Sequence, residues 1–193
     1  MRTLLAFFLL AVFISCRKDA PKEDVIVMLG DSMTKRGDWS RLTGKNTVNL
    51  GIDGLKSPGV LNATLPKAIQ LNPDFIYLMI GVNDANTQGY KSDNYEAVIT
   101  AICDTLESKK IAFAIQSVLP STISFTISDP PVLKQAVDTM NTFLTDLCAA
   151  RKIPFIDVRS VLTTPAGYLD EAYSSDGLHL NEAGYAAWAT MLR

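Results

Sequence analysis

One stretch of this chain, SSDGLHLNEAGY, holds its only histidine, His179, three positions after Asp176. An imidazole can take a proton from a hydroxyl when a carboxylate on its other nitrogen fixes the tautomer and steadies the imidazolium. Gly177 lies between the two, so Asp176 can curl back under the ring. A hydroxyl to be deprotonated is present in VMLGDSMT, at Ser32. Serine is a poor nucleophile until such a base acts on it. Acyl transfer also needs donors for the developing oxyanion. The backbone N–H groups of Ser32 and Gly54 (in NLGIDG) and the side-chain amide of Asn83 (in IGVND) can supply them. Each fragment alone is weak, and each has a bland alternative. A serine after a strand can cap a helix, GVND can be a turn, and a lone histidine can be a core residue. Taken together they contain a nucleophile, a base, an acid and oxyanion donors.

These residues must be brought together by elements far apart in the chain. Five short apolar runs read as strands: 24–29, 47–52, 74–80, 111–119 and 153–158. Runs that are apolar on both faces suit a parallel sheet covered on both sides. Periodic segments between them read as helices: 58–70, 95–109, 132–151 and 181–192. The alternation predicts an α/β fold with a parallel sheet. In open sheets of this kind ligands sit beyond the carboxyl ends of the strands. Ser32, Gly54 and Asn83 each follow a strand there, and the Asp176–His179 segment follows the fifth strand at a distance. The stretch 120–131 carries Pro120, Pro130 and Pro131 and is expected to be a rim loop. Asp31, Asn49 and Asp84 are expected to hold backbone groups of the site loops. Trp39, Tyr90, Phe125 and Tyr173 are placed in loops, and Tyr185 and Trp188 in the core.

With these residues in order, the chain resembles the SGNH hydrolases, the GDSL-type esterases and lipases, over residues 25–193. The resemblance implies a three-layer α/β/α sandwich with a five-stranded parallel sheet. It implies a catalytic Ser32, Asp176 and His179, an oxyanion hole from Ser32, Gly54 and Asn83, and neither cofactor nor metal. Many members carry glycine four residues after the serine. Arg36 stands there in this chain, followed by Gly37, which bears on substrate choice and not on the triad.

The amino terminus differs in kind. Arg2 precedes a run that is apolar from Leu4 to Ile14. That is short of the ~20 residues a membrane span needs, and it has the form of a secretory signal. Ser15-Cys16 at its end resembles a bacterial lipobox, with Phe13 in place of the usual leucine. The expectation is a signal over 1–15, a lipidated Cys16, a polar tether over 16–24, and a domain over 25–193. An exported protein anchored to a membrane, the outer one where a cell has two, follows from that resemblance; a plain secretory signal is the alternative.

Composition narrows the rest. Net charge is −2 and no basic stripe occurs, which argues against nucleic acid as a partner. One histidine is too few for most zinc sites, and no G-x-G-x-x-G is present to hold a dinucleotide. Cys103 and Cys148 lie among apolar neighbours and read as small buried hydrophobes. The expected activity is hydrolysis of short-chain esters, such as acetyl groups on carbohydrate. A lysophospholipase or lipid esterase, acyl transfer to a sugar hydroxyl, and a non-catalytic binding module on the same scaffold are the alternatives.

Overall fold

A computed structural model describes residues 24–86 and 90–192. The expected signal segment, Cys16 and nearly all of the tether lie outside the described residues. The sheet contains β1 (Ile26–Gly30), β2 (Thr47–Asn49), β3 (Phe75–Met79), β4 (Phe113–Gln116) and β5 (Phe155–Ile156). All neighbours pair parallel, in the order β2-β1-β3-β4-β5. The register sets Val27 against Ile76 and Leu29 against Leu78.

Strand period is two, so alternate residues feed opposite faces. Val27, Leu29, Ile76 and Leu78 enter one apolar layer, with Ile99, Ile102 and Leu106 of α6 (Ser92–Ser108) and Val137, Met140 and Leu144 of α7 (Pro130–Arg151). Ile26, Met28, Tyr77 and Met79 enter the other, with Trp39 of α2 (Trp39–Thr43), Leu162 of α8 (Arg159–Leu162) and Trp188 of α9 (Glu182–Ala189). The result is the expected α/β/α sandwich. Every residue of β1 is buried, which is why it reads as a continuous apolar run.

The expected elements are present with shifted ends. Residues 57–70 form α3 (Ser57–Gly59), a π-helical turn (Val60–Thr64) and α4 (Leu65–Gln70) in succession. One-turn helices carry no periodic signal, among them α1 (Ser32–Lys35) and α5 (Val82–Ala85). The reading of Pro130 and Pro131 as loop residues is corrected. They form the first turn of α7, where a missing N–H costs nothing, and Asp129 caps that turn by accepting from Val132 N–H at 3.2 Å. Trp39 is likewise not a loop residue. It opens α2, is 1% exposed, and meets Trp188 edge-on at 4.7 Å between ring centroids. Tyr185 and Trp188 are buried as expected; Phe125, placed in a loop, is buried as well.

Cys103 and Cys148 are buried and free. Burial pushes their thiols up to about 12 and about 11. They pack as hydrophobes on the α6–α7 side of the sheet.

Candidate active site

The turn after β1 delivers Ser32. Asp31 ends the extended segment and caps α1, its carboxylate accepting from Met33 N–H at 2.9 Å. Ser32 is therefore the first residue of a four-residue helix, and the cap is its neighbour. So short a helix cannot hold itself, because nucleation costs more than one turn returns. Its carbonyl end is gripped from outside instead. Asn49 donates its side-chain amide to the carbonyls of Thr34 (3.0 Å), Lys35 (3.0 Å) and Gly37 (3.1 Å). Trp39 Nε1–H donates to Thr34 O at 2.7 Å, and the Tyr185 hydroxyl donates to Met33 O at 2.8 Å.

The second segment comes from the far end of the chain. Asp176 Oδ1 accepts from the N–H groups of Leu178 (3.0 Å) and His179 (2.7 Å), while Oδ2 meets His179 Nδ1 at 2.7 Å. Gly177, at φ +84°, makes this tight return possible. A Cβ there would lie 2.9 Å from Thr122 Oγ1. Ser174 Oγ donates to His179 O at 2.8 Å and accepts from Gly177 N–H at 2.9 Å. Thr122 N–H holds Gly177 O at 2.8 Å. Asn181 then caps α9, accepting from Gly184 N–H at 3.0 Å. Burial opposes the Asp176 charge. The hydrogen bonds from the His179 ring and from the two N–H groups outweigh it, holding the carboxyl down to about 2. Asp176 thus stays an acceptor for Nδ1–H, which leaves Nε2 as the basic nitrogen. Nε2 lies 3.0 Å from Ser32 Oγ.

The remaining expected residues stand on two loops that touch. Asn83, in α5 after β3, donates its amide to Leu55 O at 3.0 Å, next to Gly54. Asp84 beside it accepts from Ser57 N–H (3.1 and 3.0 Å) and from Ser57 Oγ (2.7 Å). Gly54 is exposed, with φ +70°, and a Cβ there would meet nothing within 4 Å. Its backbone faces open space that a ligand can approach. Asn49 Oδ1 accepts from Gly51 N–H at 2.9 Å, so the residue that grips α1 also fixes the start of the Gly54 loop. Asp53 binds Lys35 at 2.6 Å and lies 3.6 Å from Arg36, a further tie between loop and helix. That tie uses the residue standing where a glycine is common.

Asp31, Asn49 and Asp84 thus hold backbone groups, as expected. The positioning duties of Trp39 and Tyr185 were not legible. Their polar atoms reach 5 and 152 positions along the chain, and nothing local marks those pairings. Tyr90 and Tyr173 are half-buried, each packed against one of the two apolar layers. Among the described residues no cluster of three or more His, Cys, Asp or Glu side chains is placed to hold a metal ion. The geometry can move a proton from Ser32 Oγ to His179 against a fixed carboxylate, which is the chemistry of a serine nucleophile.

Known proteins share this fold. The chain is 24% identical to a GDSL-like lipase from Bacteroides thetaiotaomicron, with a TM-score of 0.76, covering 90% of this chain and 88% of that one. An acetylxylan esterase from Geobacillus stearothermophilus, solved as a catalytic mutant, has a TM-score of 0.69 at 18% identity, over 88% of this chain and 92% of that one. By sequence, the chain is 26% identical over 166 residues to an N-acylneuraminate cytidylyltransferase of Escherichia coli, covering 83% of this chain and 37% of that protein. The chain spans little more than a third of the length of that relative. The model of the GDSL-like lipase/acylhydrolase family matches residues 28–187, and the chain belongs to that family.

Proposed function

We propose that this chain is a serine esterase that hydrolyses carboxylic esters through an acyl-enzyme on Ser32, with acetyl esters of carbohydrate as its substrates. The observation that carries the reading is the line Asp176–His179–Ser32, with contacts of 2.7 and 3.0 Å. Ser32 Oγ attacks the ester carbonyl as His179 Nε2 takes its proton. The tetrahedral oxyanion is held by the N–H groups of Ser32 and Gly54 and by the amide of Asn83. His179 then protonates the leaving alcohol as its C–O bond breaks. Water, deprotonated by His179, attacks the acyl-enzyme and releases the acid and free Ser32.

The acylhydrolase family supports ester cleavage. The acetyl assignment draws support from the acetylxylan esterase that shares the fold, and the sugar assignment from a relative named for an acylated sugar. A lipid ester is the second reading. Ile123 and Ile127 favour it: they are 55% and 82% exposed on the 120–131 segment, whose Thr122 binds the loop of Asp176. Export and anchoring through Cys16 belong to this proposal, because a lipid on that residue would hold the enzyme at a membrane surface.

Turnover of 4-nitrophenyl esters of increasing acyl length tests the acyl group. The acetyl reading expects the highest kcat/KM at two carbons and a steady fall beyond four. A maximum at eight carbons or more would replace it with the lipid reading.

A further inference from the structure

Beside the Gly54 and Asn83 segments lies a cavity of about 510 Å³. Its wall is built from the segments that carry the two loop donors. Lys56 and Ser57 follow Gly54 and Leu55, and Asp84 follows Asn83. The Asn83–Leu55 and Asp84–Ser57 hydrogen bonds close the seam between them. Lys56 and Asp84 of its wall stand two and one positions after Gly54 and Asn83 in the chain. Its lining includes apolar side chains, among them Pro58 and Val98. Its mouth carries two exposed cations, Lys56 and Lys91, with the amide of Asn94 beside them. The Tyr90 hydroxyl is buried and, among the described residues, has no hydrogen-bond partner. A buried hydroxyl without a partner costs free energy that a bound group can restore. Desolvation, and after it the fields of Asp84 and Glu96, push that hydroxyl up to about 12, so it stays a donor. Among the described residues the carboxyl of Asp84 is the one acid lining the cavity, and its oxygens are engaged by Ser57. Donors and positive charge therefore outnumber acceptors around the apolar side chains.

We infer that this cavity is a subsite for the alcohol part of the ester, and that it takes a ring with an apolar face and an anionic edge: an acidic sugar, its carboxylate between Lys56 and Lys91 and a ring oxygen at the Tyr90 hydroxyl. The inference rests on the esterase reading for its place in the reaction, but the subsite can be tested without turnover. A phosphate headgroup of a lysophospholipid offers the same anionic chemistry, and the lipid arm of the test separates it.

The experiment titrates the Ser32→Ala protein by calorimetry with three probes: an O-acetylated methyl glucuronoside, the matching O-acetylated methyl glucoside, and a short-chain lysophosphatidylglycerol. The expected result is at least tenfold tighter binding of the glucuronoside than of either other probe, with the preference over the glucoside lost in Ser32→Ala/Lys56→Ala/Lys91→Ala. The Tyr90→Phe change should weaken both sugars about equally. Equal binding of the two sugars, or a preference that survives loss of both lysines, overturns the subsite. Tightest binding of the lysophospholipid overturns the sugar assignment in favour of a lipid headgroup. The esterase reading fails separately, through absent turnover in the wild-type protein, and leaves these binding outcomes readable.

Discussion

Ser32 and His179 are 147 positions apart, and Oγ and Nε2 meet at 3.0 Å. Neither residue sits in a long element. Ser32 opens a four-residue helix and His179 lies in a loop. Their meeting depends on side chains that grip those short segments.

Asp176 has one oxygen for the His179 ring and one for two backbone N–H groups. Changing Asp176→Asn keeps the shape but can present an N–H to Nδ1, which favours the wrong tautomer. Turnover of 4-nitrophenyl acetate should fall by about 10³–10⁴ with little change in KM. Circular dichroism checks that the loop still folds. A loss below tenfold would mean that Asp176 does not orient the base.

Asn49 joins α1 to the Gly54 loop: the two N–H of its amide are shared among three carbonyls, and its oxygen accepts one N–H. At roughly 0.5–1.5 kcal/mol net for each bond, and with the residue exposed, Asn49→Ala should cost about 2–3 kcal/mol. That corresponds to a drop in Tm of roughly 5–10 °C for a domain of this size. With Gly54 on that loop holding the oxyanion as proposed, kcat should fall about tenfold or more at a temperature where the variant is fully folded. Thermal unfolding and kcat measured together check this. A lower Tm with unchanged kcat would reduce Asn49 to a purely structural residue.

Asp31, beside Ser32, is 1% exposed, and burial pushes its carboxyl up to about 7, against the pull of the Met33 N–H. The unfolded chain releases that proton near 4. Between these values the folded state binds more protons than the unfolded state, so this group makes stability fall as pH rises, with the loss complete above about 7. Asp31→Asn keeps an oxygen for Met33 N–H and removes the titration. At about 1.4 kcal/mol per pKa unit, the variant should gain a few kcal/mol over wild type near pH 8 and little near pH 4. Chemical denaturation at the two pH values checks it. An equal difference at both would show that Asp31 does not titrate in this range.

The strands were legible because the sheet is covered on both faces, which turns each strand into a short apolar run. The candidate site residues were legible because they follow those runs, or precede the last helix, in recognisable blocks. Other features were hidden for physical reasons. A one-turn helix such as α1 has no room for a period of 3.6 residues. Pro130 and Pro131 break helices in the interior but start them at the first turn, and only the Asp129 cap distinguishes the cases. Trp39 looked like a loop aromatic because its partners, Trp188 and Tyr185, lie at the other end of the chain. The cavity beside the Gly54 and Asn83 segments draws on residues around 57, 84 and 94, which only the fold brings together.

The most direct measurement is turnover of 4-nitrophenyl acetate by wild type, Ser32→Ala and His179→Ala, each confirmed folded. The account predicts turnover by wild type and loss of nearly all of it, about 10³-fold or more, in both variants. Wild-type turnover that survives Ser32→Ala, or no turnover of acetyl or longer esters at all, would contradict it. The second outcome would leave a binding module in which Asp176, His179 and Ser32 keep their geometry without its chemistry.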